Sequence, residues 1–216
     1  MPRRVIAAMK SNFRPLIINM LNEYIDDVMT EHGFKRRSNS IIYSRKNGDS
    51  LQKIDFVFHS HPYYNPAAKL RLYPHMYIRF KDLHEELKKV FGDNWKDVLL
   101  TDRMVFQPIE ICFQTDRWYL FDDDYSDVGE RIKSFLSDNT LPFLDSCNSY
   151  CGLIKHYEDN SLQFAIDRKI ILYLIAAYMN TGSEDKAHIL IDKKFNKKGL
   201  RKIYEPLGKA YGSGGI

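Results

Sequence analysis

Residues 41–59 read IIYSRKNGDSLQKIDFVFH, and they carry the clearest structural pattern in the chain. Asn47-Gly48 is a pair that accepts positive φ angles, and it separates two runs that are rich in apolar residues. In the second run Ile54, Phe56 and Phe58 occupy alternate positions, which places them on one face of a strand. The stretch therefore predicts a β-hairpin with one face in the core.

Apolar residues N-terminal to this hairpin repeat at the spacing of a helix. The set recurs every three or four positions, as one buried helical face requires: Leu16, Ile17, Met20, Leu21, Tyr24, Ile25, Val28 and Met29. Pro15 suits the first turn of such a helix, and Gly33 suits its C-terminal end. We therefore expect a helix from about residue 15 to residue 32 that covers one face of the sheet.

Further strands are expected after the hairpin. Residues 70–73 and 75–80 form either one broken strand or two short strands. Residues 104–113 form an edge or bulged strand, because Pro108 cannot donate a backbone hydrogen bond to a neighbour. Residues 117–121 form the last strand of the predicted sheet.

The other segments show helical spacing. A short helix is expected from Asp82 to Phe91, and helices continue beyond the last strand, ending with the pair 167–180 and 183–195. Strands and helices that are segregated in this way indicate an α+β fold with a mainly antiparallel sheet and a helical C-terminal half. We divide the chain into an α+β domain, residues 1–157, and a helical C-terminal extension packed on it, residues 158–216.

Composition limits the class of protein. The chain has 216 residues, of which 44% are hydrophobic and 28% are charged, and its formal net charge is +4. These values exclude a collagen-like chain, a disordered tail and a disulfide scaffold. The small excess of positive charge is not a nucleic-acid signature by itself, so no nucleic-acid partner is expected.

Cysteine usage and apolar runs indicate a cytoplasmic protein. Cys112, Cys147 and Cys151 are an odd number, which argues against a disulfide framework and favours packed thiols in a reducing compartment. The basic N-terminus carries too short an apolar run for a signal peptide. No apolar run approaches the about twenty residues that a membrane-spanning helix needs, so no membrane partner is expected.

Motifs for catalysis are few. The chain contains no G-x-S-x-G, Walker A or G-x-G-x-x-G motif, so we expect no cofactor, and a protein without enzymatic activity is favoured. His59-Ser60-His61 is the best metal-like fragment, because residues two apart on a strand share a face. The spacing of His75 and His84 supplies no third ligand, so two polar residues at a strand end are the favoured interpretation. A metal-dependent hydrolase or nuclease that uses His59 and His61 is the alternative.

An acidic run precedes a predicted helix, and it contains Asp122, Asp123, Asp124 and Asp127. It does not match a calcium-binding EF-hand, because the sixth and twelfth positions hold Asp127 and Lys133 where Gly and Glu are needed. Carboxylates at a helix N-terminus are stabilised by the helix dipole, and this solvated cap is the favoured interpretation. The same charges are also suited to a basic partner.

Large aromatic residues supply candidate anchors for such a partner: Tyr63, Tyr64, Trp118 and Tyr125. Tyr63-Tyr64 would serve equally well as a plug over one end of the sheet. Basic residues cluster in the hairpin region at Lys35-Arg36-Arg37, Arg45-Lys46 and Lys53. Their short, interrupted pattern favours an ordinary solvated hairpin over a nucleic-acid site.

Several segments together carry a family resemblance: Gly33–Arg37, Tyr43–Arg45, Gln52–Phe56, Trp118-Tyr119, Asp122–Asp127 and Leu141–Leu144. Over roughly residues 12–157 the chain resembles a bacterial family of small α+β domains of unknown function. Some members of such families are proposed to be immunity proteins of polymorphic toxin systems, and the family offers no catalytic motif. The resemblance implies a non-enzymatic protein-binding module, such as an immunity protein, whose partner is a neighbour-encoded toxin or another protein.

Overall fold

The computed structural model describes residues 13–99, 105–159, 168–195 and 197–211. These residues fall into two compact units. The first unit is drawn from Met1–Lys46, Gln52–Tyr77 and Phe106–Asp145, and the second from Asn47–Leu51, Ile78–Val105 and Ser146–Ile216. The predicted domain boundary near residue 157 stays a prediction.

Helix α1 covers residues 13–31 and confirms the helix that the apolar spacing predicts. It includes a π-helical turn, Leu21–Ile25, before its last segment, Asp26–Glu31. Six residues of the predicted face are buried, namely Ile17, Met20, Leu21, Ile25, Val28 and Met29, whereas Leu16 and Tyr24 are half-buried. Gly33 ends the helix with a φ of 75°, a conformation that favours glycine, and its N–H donates to the Thr30 carbonyl at 2.8 Å.

Within the described residues the sheet has six strands. They are β1 Lys35–Arg36, β2 Ile42–Asn47, β3 Ser50–Ser60, β4 Leu70–Phe80, β5 Val105–Pro108 and β6 Trp118–Leu120. The order is β1-β2-β3-β4-β5, and β6 also pairs with β4. The β4–β6 pairing is antiparallel and sets Arg71 opposite Tyr119. An antiparallel sheet with an N-terminal helix and a helical C-terminal half confirms the predicted α+β class.

The predicted hairpin is present, with its turn one residue later than the Asn-Gly pair suggests. Asn47 ends β2, so the two turn residues are Gly48 and Asp49, and Gly48 has a φ of 56°. The alternation on β3 is confirmed, since Ile54 and Phe56 are buried in the core. Gln52, on the same face, is buried as well; its amide donates to the Leu144 carbonyl at 2.6 Å.

Strand β4 is one continuous strand of 11 residues, although its sequence suggested a break. Pro74 forfeits one backbone donor, but its fixed φ is compatible with an extended chain. Alternate residues lie on opposite faces of the strand. One face of β4 belongs to the core and contains Leu70, Leu72 and Met76.

The predicted strand over residues 104–113 is shorter than expected. Strand β5 ends at Pro108, and residues Ile109–Cys112 form a single helical turn, α4. Pro108 explains this difference, because a residue without an N–H ends a strand and is well suited to precede a helix. Met104, the expected first residue, lies outside the described residues.

The other helices follow the predicted pattern more closely, except that the short helix Trp95–Leu99 was not predicted. Helix α2 is Lys81–Phe91, α3 is Trp95–Leu99, α5 is Ser126–Phe135, α6 is Leu141–Ser146 and α7 is Tyr150–Glu158. Helices α8 Arg168–Asn180 and α9 Glu184–Phe195 are the expected final pair, and Thr181-Gly182 separates them. A further helix, α10 Lys198–Tyr211, occupies the segment that the sequence analysis left unassigned.

The second unit is organised around α8. Helix α8 contacts α2, α7 and α9, and its residues from Ile170 to Tyr178 are buried. A helix that is apolar on all sides belongs in a core, which explains the run of aliphatic residues there. Among the residues that the structure describes, no helix is both long and apolar enough to cross a membrane.

Candidate functional site

Four aromatic side chains of the first unit form a surface that we call the aromatic patch: Tyr63, Tyr64, Tyr119 and Phe121. Tyr63 is 90% exposed, Phe121 is 55% exposed and Tyr64 is 38% exposed. The Tyr63 and Tyr64 ring centroids lie 5.0 Å apart, and those of Tyr119 and Phe121 lie 6.2 Å apart. Apolar side chains of this size are costly to leave in water, so the patch is a candidate contact surface.

Arg117 joins the two halves of the aromatic patch. Its guanidinium carbon lies 5.7 Å from the centre of the Tyr64 ring. A hydrogen bond to Tyr119 raises the pKa of Arg117, and the charges of Tyr119 and Glu110 act in the same direction. Tyr64 and Tyr119 therefore meet at one cation rather than forming separate clusters.

The loop between β3 and β4 presents Tyr63 and Tyr64, and several backbone hydrogen bonds fix its shape. The His61 N–H donates to the Lys69 carbonyl at 2.8 Å, and the Asn65 N–H donates to the Pro62 carbonyl at 2.9 Å. The Lys69 N–H donates to the Leu120 carbonyl at 2.9 Å, which ties the loop to β6. The loop is therefore folded onto the strand that carries Tyr119.

A buried ion pair, Arg71–Glu110, contacts the hydroxyl of Tyr64. Arg71 is 7% exposed and Glu110 is 8% exposed, and Nη2 of Arg71 donates to Oε1 of Glu110. Nη1 of Arg71 donates to the Tyr64 hydroxyl at 2.7 Å. The Arg71 guanidinium also lies 4.8 Å from the centre of the Tyr73 ring. The Arg71–Glu110 pair therefore fixes the position of a surface tyrosine.

The acidic run lies directly after Phe121, and its four aspartates are exposed. Asp124 acts locally, because its Oδ1 accepts from the Ser126 N–H at 2.9 Å and from the Ser126 hydroxyl at 2.6 Å. These hydrogen bonds lower the pKa of Asp124. Asp127 pairs with Arg131 on the same helix at 3.4 Å.

Asp122 and Asp123 are the exposed members of the run next to Phe121. Oδ1 of Asp122 accepts from the Asp124 N–H at 3.1 Å. Oδ1 of Asp123 lies 3.3 Å from Nζ of Lys69, but the Asp123 side chain is largely exposed. Each aspartate of the run thus has a local partner, and Asp122 and Asp123 are the two that directly follow Phe121 of the aromatic patch.

Two of the predicted anchors serve other purposes. Trp118 is 3% exposed and packs edge-on against Phe135, with ring centroids 5.6 Å apart, so it is a core residue rather than a surface anchor. The hydroxyl of Tyr125 donates to Glu23 at 3.1 Å, and its ring lies 6.1 Å from that of Tyr24. Tyr125 therefore links the start of α5 to α1.

His59 and His61 do not share a face. Strand β3 ends at Ser60, and His61 has a φ of 47°, so the two-residue alternation stops before His61. The His59 ring packs against Tyr73 at 5.3 Å, whereas the His61 ring packs against Phe13 at 5.6 Å. Within the described part of the chain, no group of three or more His, Cys, Asp or Glu residues is placed to hold a metal ion.

The other two histidines have their own surroundings. His75 lies beside Tyr73, with ring centroids 4.5 Å apart, and burial, with His59 adding to it, lowers its pKa to about 4. His84 belongs to the second unit, where its Nδ1 lies 2.7 Å from the Tyr173 hydroxyl. The structure thus gathers neither of them with both His59 and His61.

Two arginines of the basic cluster near the hairpin, Arg36 and Arg45, form ion pairs within the first unit. Arg36 pairs with Asp26 at 2.5 Å. Arg45 pairs with Asp145 at 2.6 Å, and its guanidinium lies 4.3 Å from the centre of the Phe34 ring. These two arginines stabilise the first unit, which fits the interpretation of an ordinary hairpin better than that of a nucleic-acid site.

Two residues of the aromatic patch, Tyr119 and Phe121, were not predicted from the sequence. Tyr119 and Phe121 could have been found by alternation, because Trp118 and Leu120 take the core face of β6. Nothing in the sequence indicates that Tyr64 lies beside Arg117. Compared with known proteins, the chain matches no protein-family model, no curated protein and no solved structure.

Proposed function

We propose that this chain is a non-enzymatic protein-binding module that contacts its partner through the aromatic patch. The observation that carries this proposal is the exposure of Tyr63 and Phe121, at 90% and 55%, within the aromatic patch of the first unit. Exposed aromatic residues of this kind dominate binding energy in protein interfaces, because a partner buries them. The hydrolase alternative gains no support, since His59 and His61 contact different neighbours.

Charge beside the patch supports a partner with a basic surface. Asp122 and Asp123 directly follow Phe121 in the chain and are exposed. Complementary charge at the edge of an interface mainly speeds association and excludes wrong partners. We therefore assign affinity to the aromatic rings and the rate of encounter to these two carboxylates.

The patch is also prepared for binding. Arg71 holds the Tyr64 hydroxyl, and the hydrogen bonds of the loop hold the backbone around Tyr63. Side chains that are already ordered lose less conformational entropy on association. This order supports a binding role over an accidental cluster of exposed rings.

A toxin encoded beside this chain's own gene is the partner to test first. The resemblance of residues 12–157 to a family with proposed immunity proteins supports that choice. An immunity protein inhibits by covering a toxin and needs no catalytic group. A sequence without a G-x-S-x-G, Walker A or G-x-G-x-x-G motif is compatible with that role. The finer role of the protein is thus proposed as that of an immunity protein.

The test measures binding of the purified neighbour-encoded protein by biosensor. A variant with Tyr63→Ala and Phe121→Ala should weaken binding at least about thirtyfold, because anchor residues contribute about 2 kcal/mol or more. Ile189→Ala is the matched control, since Ile189 is a 65% exposed apolar residue of the second unit. The proposal fails if the control and the patch variant bind equally well, or if no neighbour-encoded protein binds.

A further inference from the structure

We infer that Arg117 is a carboxylate-binding subsite of the aromatic patch, and that the partner brings one acidic side chain to it. This inference rests on the proposed function and adds the chemistry of the partner at this position. It concerns the end of the patch formed by Arg117, Tyr64 and Tyr119.

Two guanidinium groups flank the ring of Tyr64. Arg71 lies 5.4 Å from the ring centre and Arg117 lies 5.7 Å from it. Arg71 is buried and donates to the Tyr64 hydroxyl, whereas Arg117 is exposed. Two cations at one tyrosine repel each other unless carboxylates compensate them.

Among the residues that the structure describes, one carboxylate, that of Glu110, is committed to these two cations. Glu110 is buried and gives Oε1 to Arg71. Nε of Arg71 and Oε2 of Glu110, the remaining atoms of that pair, have no hydrogen-bond partner among the described residues. Glu110 has a long-range electrostatic effect on Arg117 but forms its ion pair with Arg71.

Arg117 is therefore left with an uncompensated charge. Within the described ranges, no carboxylate lies within 4.0 Å of its guanidinium nitrogens, although other exposed arginines such as Arg131 have one. Two arginines and one glutamate give a local charge of 2 − 1 = +1. A single carboxylate neutralises this charge, whereas a phosphate dianion would exceed it.

The geometry suits a planar carboxylate. A guanidinium binds a carboxylate through two parallel N–H···O hydrogen bonds, which gives direction as well as energy. Tyr119 lies close enough to Arg117 to raise the pKa of its guanidinium. An acidic residue of the partner would lie against the rings of Tyr64 and Tyr119 while it pairs with Arg117.

The patch then carries charges of both signs. Asp122 and Asp123 follow Phe121, and Arg117 lies between Tyr64 and Tyr119. A partner with a basic group for the aspartates and an acidic group for Arg117 can dock in one orientation only. The expected partner surface is thus basic, with one acidic residue next to apolar ones.

The test uses a library of random peptides displayed on phage and selected against the immobilised full-length protein. Peptides that lose binding to the Tyr63→Ala/Phe121→Ala variant are scored as patch-dependent. We expect Asp or Glu to be enriched at one position of these peptides. Arg117→Gln should weaken the binding of these peptides at least about tenfold, because one charge-assisted hydrogen bond contributes that much to affinity. Arg131→Gln, which alters an exposed arginine with its own carboxylate, should leave them unchanged.

Four outcomes would overturn the inference. Patch-dependent peptides without an acidic residue, or with equal affinity for Arg117→Gln, would remove the subsite and leave the proposed function intact. Inorganic phosphate that displaces the peptides better than acetate at equal ionic strength would assign the subsite to phosphoryl groups. A library that yields no patch-dependent peptide would contradict both the inference and the proposed function.

Discussion

The Nη1 atom of Arg71 donates a hydrogen bond of 2.7 Å to the hydroxyl of Tyr64. Arg71 belongs to the middle of the sheet and is buried, whereas Tyr64 belongs to a surface loop. This single bond therefore couples the core of the first unit to the surface that we propose as its binding site.

Tyr64→Phe should destabilise the first unit although it removes only one oxygen atom. The change leaves Nη1 of Arg71 without an acceptor in a buried position, which costs about 1–3 kcal/mol. Urea unfolding monitored by circular dichroism should show this loss as a lower midpoint. Tyr63→Phe is the control, because Tyr63 is 90% exposed. Equal midpoints for the two variants would show that the bond contributes nothing.

Glu110→Ala should be the most damaging single change in this region. It removes the carboxylate that compensates Arg71 and leaves a charge buried, for which about 3–5 kcal/mol is expected. Glu130→Ala removes an exposed carboxylate of α5 and should cost far less. Chemical denaturation of both variants measures the difference. A similar small loss for both would mean that the Arg71–Glu110 pair does not stabilise the fold.

The free energy of unfolding of the first unit should fall in acid because of Asp26. Burial opposes the shift, but hydrogen bonds from Arg36 and Tyr43 hold the pKa of Asp26 below its usual range. A group with a lowered pKa contributes stability above its unfolded pKa, near 3.9, and that contribution is lost as the pH falls through the folded value.

Asp26→Asn should therefore destabilise the protein at neutral pH and change little well below pH 3.9. Melting temperatures measured across this pH range would show the two curves converging in acid. Parallel curves for the wild type and the variant would contradict the assignment of Asp26.

Asp122→Asn combined with Asp123→Asn should leave the melting temperature nearly unchanged, because both side chains are exposed. The double variant should associate more slowly with the partner, most visibly at low salt, since screening weakens exposed charges. Asp93→Asn with Asp97→Asn makes the same charge change at exposed positions of the second unit. Stopped-flow association rates separate the two variants. If both variants associate equally slowly, the effect comes from the net charge of the protein and not from the position of Asp122 and Asp123.

Local patterns predicted most of the fold. The spacing of Leu21, Ile25 and Met29 identified α1, and the alternation of Ile54 and Phe56 identified β3, because burial on one face leaves a periodic trace in the sequence. The strand predicted over residues 104–113 was too long, because Pro108 was interpreted as an interruption of the strand and not as its end. A proline both interrupts a strand and precedes a helix, and the sequence alone does not separate these two uses.

The surface was less predictable, because it depends on contacts between distant segments. The pairing of β4 with β6 sets Arg71 opposite Tyr119, and no local pattern reports that register. Trp118 looked like an anchor by residue type, yet its place on the core side of β6 buries it. Helix α10 was not predicted, and it contains Pro206, a residue that is unfavourable in the interior of a helix.

The most direct test of the central proposal is site-specific photo-cross-linking. A photoreactive phenylalanine derivative replaces Tyr63 in one preparation and Ile189 in another, both exposed positions. Each preparation is mixed with the purified neighbour-encoded partner and irradiated, and the products are separated by mass. The proposal predicts a cross-linked complex from position 63 and none from position 189. A complex from position 189 alone would place the partner on the second unit and contradict a binding role for the aromatic patch.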